Sequence, residues 1–162
     1  MLIVWLIIFI ILAIFLIGIV LGAPYLPTLN TQVEAALDLI NLQRGQTLIE
    51  LGSGDGKVLI AAAKRGIKSV GYELNPILVI VSILRTRKFR KDIKIVWGNF
   101  WAKDWPQADG VFVFLITRYM RKLDKRLIVY KHKPIKLVSF AFKVPGKKVS
   151  AAKSGVFLYL YK

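Results

Sequence analysis

Glu50, Gly52, Gly54, Gly56 and Glu73 have the types and spacing to hold a small polar molecule. Glycines at alternate positions let a backbone turn tightly and leave no Cβ between the chain and a ligand. A helix opening just after them aims its free N–H groups at the same place, favouring a polar or anionic group. Glu73 follows Gly52 by about 20 residues, where a carboxylate can accept hydrogen bonds from both hydroxyls of a ribose. A nicotinamide or flavin fingerprint reads G-x-G-x-x-G. Here the spacing is G-x-G-x-G, and an acidic residue, Glu50, precedes it.

Those residues need a strand, a loop and a helix to position them. Residues 47–51 are short, apolar and flanked by turn residues, which predicts a buried parallel strand. Residues 57–65 have helical composition, and Gly66 stands where a helix-stopping glycine belongs. Residues 69–73 read as the next strand, ending in Glu73. Asn75-Pro76 then opens a helix over about 76–88. The end of that helix is basic, with Arg85, Arg87, Lys88, Arg90 and Lys91. Further strands are expected at 93–97, 110–116 and 136–144, with a helix from Arg118 to about Tyr130. Pro145-Gly146 signals a turn, and 149–152 with 156–161 suit a short terminal hairpin. Upstream, Thr31 and Glu34 have capping-box spacing, and Val33, Ala36, Leu37 and Ile40 form one apolar helical face. Alternating strands and helices predict an α/β, doubly wound, mostly parallel sheet.

Acidic-x-Gly-x-Gly-x-Gly followed by a ribose acid resembles the class I S-adenosylmethionine (SAM) methyltransferases. The resemblance extends in order through Pro24-Tyr25-Leu26-Pro27, Gln32-Val33-Glu34, ELGSGDGK, AAAKRG and Gly71-Tyr72-Glu73-Leu74-Asn75-Pro76. This set is similar to the membrane-anchored protein-lysine methyltransferases of the ATP synthase c subunit and adenine nucleotide translocase type. The match is close from Pro24 to about Val79 and fades after Asp109. It implies a Rossmann-like sheet of the seven-strand type, from which this chain departs in an abbreviated C-terminal hairpin, and SAM as cosubstrate without a metal. It implies cofactor contacts from Glu50, Gly52, Ser53, Gly54, Asp55, Gly56, Glu73, Leu74, Asn99 and Phe100. Glu50 has three open roles: holding the methionine amino group directly, holding it through water, or bracing the loop. Asn99 stands where the family usually has an aspartate for the adenine amino group; it keeps an acceptor oxygen without the charge.

Composition divides the chain. The formal charge is +16, yet residues 2–33 carry no charged side chain. Residues 2–21 are an apolar run that, at about 1.5 Å per residue, is long enough to cross a hydrocarbon core of roughly 30 Å. No Lys or Arg precedes the run, and Pro24 follows Gly22 and Ala23, so a retained span is expected rather than a cleaved signal peptide. The organisation is then a transmembrane helix at 1–22, a linker and N-terminal helix at 23–45, and a methyltransferase domain at 46–162. The basic residues all follow the run, which orients the domain to the cytoplasm. There is no cysteine and one histidine, His132, so disulfides and thiolate or His-rich metal sites are excluded.

No catalytic acid or base stands out, and methyl transfer from a sulfonium needs mainly positioning. Residues 115–118 read Leu-Ile-Thr-Arg, so the Asn/Asp-Pro-Pro-aromatic motif of base and glutamine N-methyltransferases is absent. Trp101 and Trp105 suit a pocket lining, core packing or a membrane surface equally. The basic stretch 118–153 reads as a solvated surface or as attraction to an anionic lipid surface. A nucleic-acid partner fits the charge but sits poorly with an anchor. The expected activity is transfer from SAM to a lysine of a membrane protein near the bilayer surface. Two other readings stay open: a SAM-binding, membrane-anchored protein without transfer activity, and a membrane-tethered RNA methyltransferase.

Overall fold

A computed structural model describes residues 1–9, 12 and 28–162. Of the apolar run expected to span a membrane, residues 2–9 are helical and exposed; most of the remainder lies outside the described residues, as do Pro24 to Pro27. Among the described residues, no helix is long and apolar enough to cross a membrane.

The rest builds one seven-stranded sheet. Strands β1 (Thr47–Leu51), β2 (Lys68–Glu73), β3 (Ile93–Trp97), β4 (Gly110–Val113) and β5 (Ile135–Phe140) run parallel. β6 (Ala151–Lys153) and β7 (Val156–Tyr161) form the terminal hairpin. The order is β3-β2-β1-β4-β5-β7-β6, with β7 antiparallel between β5 and β6. Chain direction across the sheet reverses between β1 and β4, and a crevice opens there at the carboxyl ends of the strands. The expected doubly wound, mostly parallel architecture is present, and the hairpin is short in its three-residue β6.

Strand period decides which side chains meet which helices. Ile49, Leu51, Val111, Val113 and Leu137 join the core cluster that holds Met120, Leu123 and Leu127 of α4 (Thr117–Ile128). Those three α4 residues are fully buried, and burying each stabilises the fold by about 1.5–3 kcal/mol. On the other face, Leu48, Phe112 and Val138 pack with α1 (Asn30–Ile40) and α2 (Lys57–Lys64). Arg65 clamps these two helices by pairing with both Glu34 and Asp38 of α1. Lys136 closes the C-terminal end of α1, donating to the carbonyls of Ile40 (2.8 Å) and Asn41 (3.1 Å). α3 (Pro76–Thr86) follows β2 and runs into a 3-10 turn, Arg87–Phe89.

Several boundaries differ from expectation for identifiable reasons. The capping box does not form. α1 starts at Asn30, its N-cap is Leu29, and Glu34 turns to Arg65 instead. The strand expected over 110–116 stops at Val113, where the registers with both β1 and β5 run out. The strand expected over 136–144 stops at Phe140, because Ala141 takes a φ of +64° that extended pairing forbids. The basic stretch 118–153 does not form one surface. Arg126 bonds loop carbonyls, Lys136 bonds α1, Lys147 pairs with Asp124, and Lys153 pairs with Asp38.

The hairpin is fastened to the body by Tyr159, which is fully buried and whose hydroxyl accepts from the Val144 N–H at 3.0 Å. Tyr159→Phe leaves that buried N–H without a partner and should cost about 1–3 kcal/mol of stability. Urea denaturation measures it; an unchanged midpoint would show that water takes over the bond.

Candidate functional site

The site grows from the end of β2. On β1 and β2 the two-residue period puts Glu50, Gly71 and Glu73 on the face shared with α2, and Glu50 is paired in register with Gly71. Gly71 leaves room that the loop after β1 uses. A Cβ there would lie 2.7 Å from the Cβ of Ser53 and 2.5 Å from Leu59. The loop therefore lies directly on β2, with the N–H groups of Gly52 and Ser53 donating to the Tyr72 carbonyl at 2.8 and 2.9 Å. Gly54 and Gly56 have φ of +53° and +79°, a region open to glycine at little cost.

Glu73 ties two loops together. One carboxylate oxygen accepts from the Gly54 N–H and the other from the Asn75 N–H, both at 2.8 Å. Each oxygen keeps a second lone pair. Asn75 in turn caps α3, its side-chain oxygen accepting from Ile77 N at 2.9 Å. The Glu73 carbonyl receives the Gly98 N–H at 2.9 Å, which brings the loop after β3 to the same crevice.

Glu50 is buried, and its Oε2 has no hydrogen-bond partner. Burial pushes its carboxyl well above the usual carboxylate range, and the nearby Glu73 charge adds to the rise. The Ser53 hydroxyl is also buried without a partner. Two unpaired polar atoms beside a glycine loop suit a ligand carrying a donor such as an ammonium group.

The other expected contacts divide. Asp55 is committed to structure, accepting from Lys57 N at 3.2 Å and pairing with Arg85 of α3. The Leu74 carbonyl receives the Trp97 indole N–H at 3.1 Å. Asn99 is exposed, and its side-chain oxygen accepts from Trp101 N at 2.9 Å, closing a local turn. Phe100 is half-buried against Trp101, with ring centroids 4.7 Å apart. Trp105 is core, 7% exposed, and His132 is on the surface.

Two positioning braces have no sequence signature beyond residue type, and Gly56 of the loop motif has a second role. Arg126 reaches from α4 to the Phe100 and Trp101 carbonyls at 3.2 and 2.8 Å and lies 4.1 Å over the Trp105 ring. Lys57 donates to the Thr28 carbonyl at 2.9 Å, holding the entry to α1 beside the glycine loop. Gly56 lets α3 approach closely: a Cβ there would be 2.6 Å from the Ser82 hydroxyl.

Comparison with known proteins agrees with this frame. A family model described as the ANTKMT methyltransferase domain matches residues 50–151. The human lysine N-methyltransferase of the ATP synthase c subunit is 37% identical over 108 residues, covering 64% of this chain and 45% of that protein. A protein-lysine N-methyltransferase of Saccharolobus islandicus is 30% identical over 149 residues, covering 85% of this chain and 92% of that protein. An RNA methyltransferase from Salinibacter ruber, solved with S-adenosyl-L-homocysteine, aligns with a TM-score of 0.74 at 25% identity, over 84% of this chain and 92% of that one. The chain spans about half the length of the vertebrate ATP synthase methyltransferases it matches. The matched residues run from Glu50 through the glycine loop, Glu73 and α4, and the chain belongs to the ANTKMT methyltransferase-domain family.

Proposed function

We propose that this protein transfers a methyl group from SAM to a lysine side chain of a membrane protein, close to the bilayer. The carrying observation is the Glu73 carboxylate, fixed by Gly54 and Asn75 and still able to accept two further bonds at the mouth of the crevice. In this reading Glu73 receives the ribose hydroxyls, and Glu50 with Ser53 receives the methionine ammonium. The glycine loop of Gly52, Gly54 and Gly56 lies along the cofactor, flanked by Asp55. Leu74, Asn99 and Phe100 border the adenine. Residues 1–22 hold the domain of 46–162 at the membrane through the linker 23–45.

When bound, SAM supplies an electrophilic methyl on a sulfonium. A neutral lysine amine would attack in line, the C–S bond would break, and the amine proton would leave to solvent. The protein's part is to orient both reactants and exclude water, which lowers the entropic share of the barrier. A tether adds to this by raising the effective concentration of a target in the same membrane.

Labelled SAM incubated with the protein and membranes from its own source, followed by mass spectrometry, tests the assignment. Label on a lysine of a membrane protein is the expected result. Label that RNase removes would favour an RNA substrate, and SAM binding with no transfer would favour a non-catalytic protein. Retention of the intact chain in membranes through a carbonate wash is expected if residues 2–21 span.

Glu73→Gln keeps one acceptor oxygen for either Gly54 or Asn75, turns an amide NH2 toward the other, and loses the charge. It should weaken SAM binding by about 10–100-fold, the scale of roughly 1.5–3 kcal/mol for a bond to a charged acceptor. An unchanged Kd by calorimetry, in a folded variant, would remove Glu73 from the ribose. Glu50 has its own signature in ligand-free protein. Its native pKa is raised above the unfolded value, so the unfolded chain loses the proton first as pH rises. Ionisation therefore opposes folding above about pH 4.5 and costs nothing below it, where both states are protonated. Glu50→Gln should raise Tm near neutral pH, with the gain vanishing as pH falls toward 4. A gain independent of pH would point to packing instead.

A further inference from the structure

α3 is turned inside out. Its buried positions are Val79, Ser82 and Thr86, two of them polar, because the approach to Gly56 admits only small side chains. Its outward face carries Ile80, Ile83 and Leu84, which are 60%, 51% and 61% exposed. A water-facing helix surface ordinarily has the opposite arrangement. Beside the start of α3, at the end of edge strand β3, Trp97 is 63% exposed, with its indole N–H already on the Leu74 carbonyl.

Cations border this apolar face. Arg87, Lys88, Arg90, Lys91 and Lys94 are all exposed on the segment that leads from α3 into β3. Lys68, Arg90, Lys91 and Lys94 line a hollow of about 300 Å³, in which Asp92 is the one acidic lining residue. None of these cations forms an ion pair with a carboxylate among the described residues. Arg85, on α3 itself, is held by Asp55.

We propose that this edge, made of the outward face of α3, Trp97 and the cations of 87–94, is a docking surface for an anionic bilayer. Aliphatic side chains of this size enter the headgroup boundary, a Trp suits that boundary, and the cations meet anionic headgroups. A second copy of the chain pairing through the same edge would set these cations against their own kind. A purely apolar cover, such as the chain's own residues 13–21, would leave them unmatched. Docking here would hold the β3 side of the crevice toward the membrane. The inference rests on the reading that the protein works at a membrane, but its test needs neither SAM nor a target. A failure of transfer and a failure of docking are therefore separable.

The chain has no cysteine, so single sites can be labelled in the full-length protein. An environment-sensitive fluorophore at Leu84→Cys is compared with one at Lys125→Cys, an exposed position of α4 on the opposite face of the sheet. The probe is a phosphatidylcholine vesicle, with or without phosphatidylserine, that carries brominated acyl chains as quencher. With phosphatidylserine, the label at Leu84→Cys should be quenched severalfold more than that at Lys125→Cys. Adding Lys88→Glu, Arg90→Glu and Lys91→Glu should abolish the difference while the protein stays vesicle-bound, since each lost cation weakens contact about fivefold. Equal quenching at the two positions overturns the proposal. So does quenching at Leu84→Cys that does not depend on phosphatidylserine, or a label shielded from lipid by a second copy that crosslinking captures.

Discussion

Two backbone N–H groups outside any ladder, those of Gly54 and Asn75, converge on one carboxylate. Ordering the loop after β1 and the loop after β2 separately would carry two entropic costs; one shared acceptor orders both. Glu73 can serve because it is the last residue of β2, with its side chain on the α2 face. The glycine loop, the start of α3 and, through the Glu73 carbonyl, the loop after β3 are all referred to this one residue. A buried carboxylate in that position is tolerable because each of its oxygens accepts one oriented backbone N–H.

Close approach is the second constraint, and small residues provide it in pairs. Gly71 lets Ser53 lie on β2, and Gly56 lets Ser82 of α3 lie on the start of α2. The consequence reaches the surface. With Ser82 and Thr86 turned inward, Ile80, Ile83 and Leu84 of α3 are left facing out. The shape of the loop and the character of the outer helix face are two sides of one packing arrangement.

Punctuation and period make much of this legible from sequence. Glycines bound β1 and the α2 region, Asn75-Pro76 marks the start of α3, and Glu73 lies at the expected offset. Their signals are local, so they survive folding unchanged. The capping box fails because a long-range partner, Arg65, competes for Glu34. β4 is shorter than its apolar run because its registers with the neighbouring strands run out at Val113, and β5 because Ala141 takes a positive φ. The place of Asp55 in the loop suggests a cofactor contact, but Arg85, thirty positions on, occupies it. Arg126 and the lysines of 118–153 look alike as charges, and only tertiary placement separates a brace from a surface residue.

The Lys57 ammonium joins the Thr28 carbonyl to the first residue of α2. Thr28 stands at the head of α1, and Lys57 follows directly on Gly56 at the end of the glycine loop. Force applied along the chain ahead of α1 thus has a short route to that loop that bypasses the sheet. One side-chain hydrogen bond couples the entry of α1 to the end of the glycine loop without passing through the sheet.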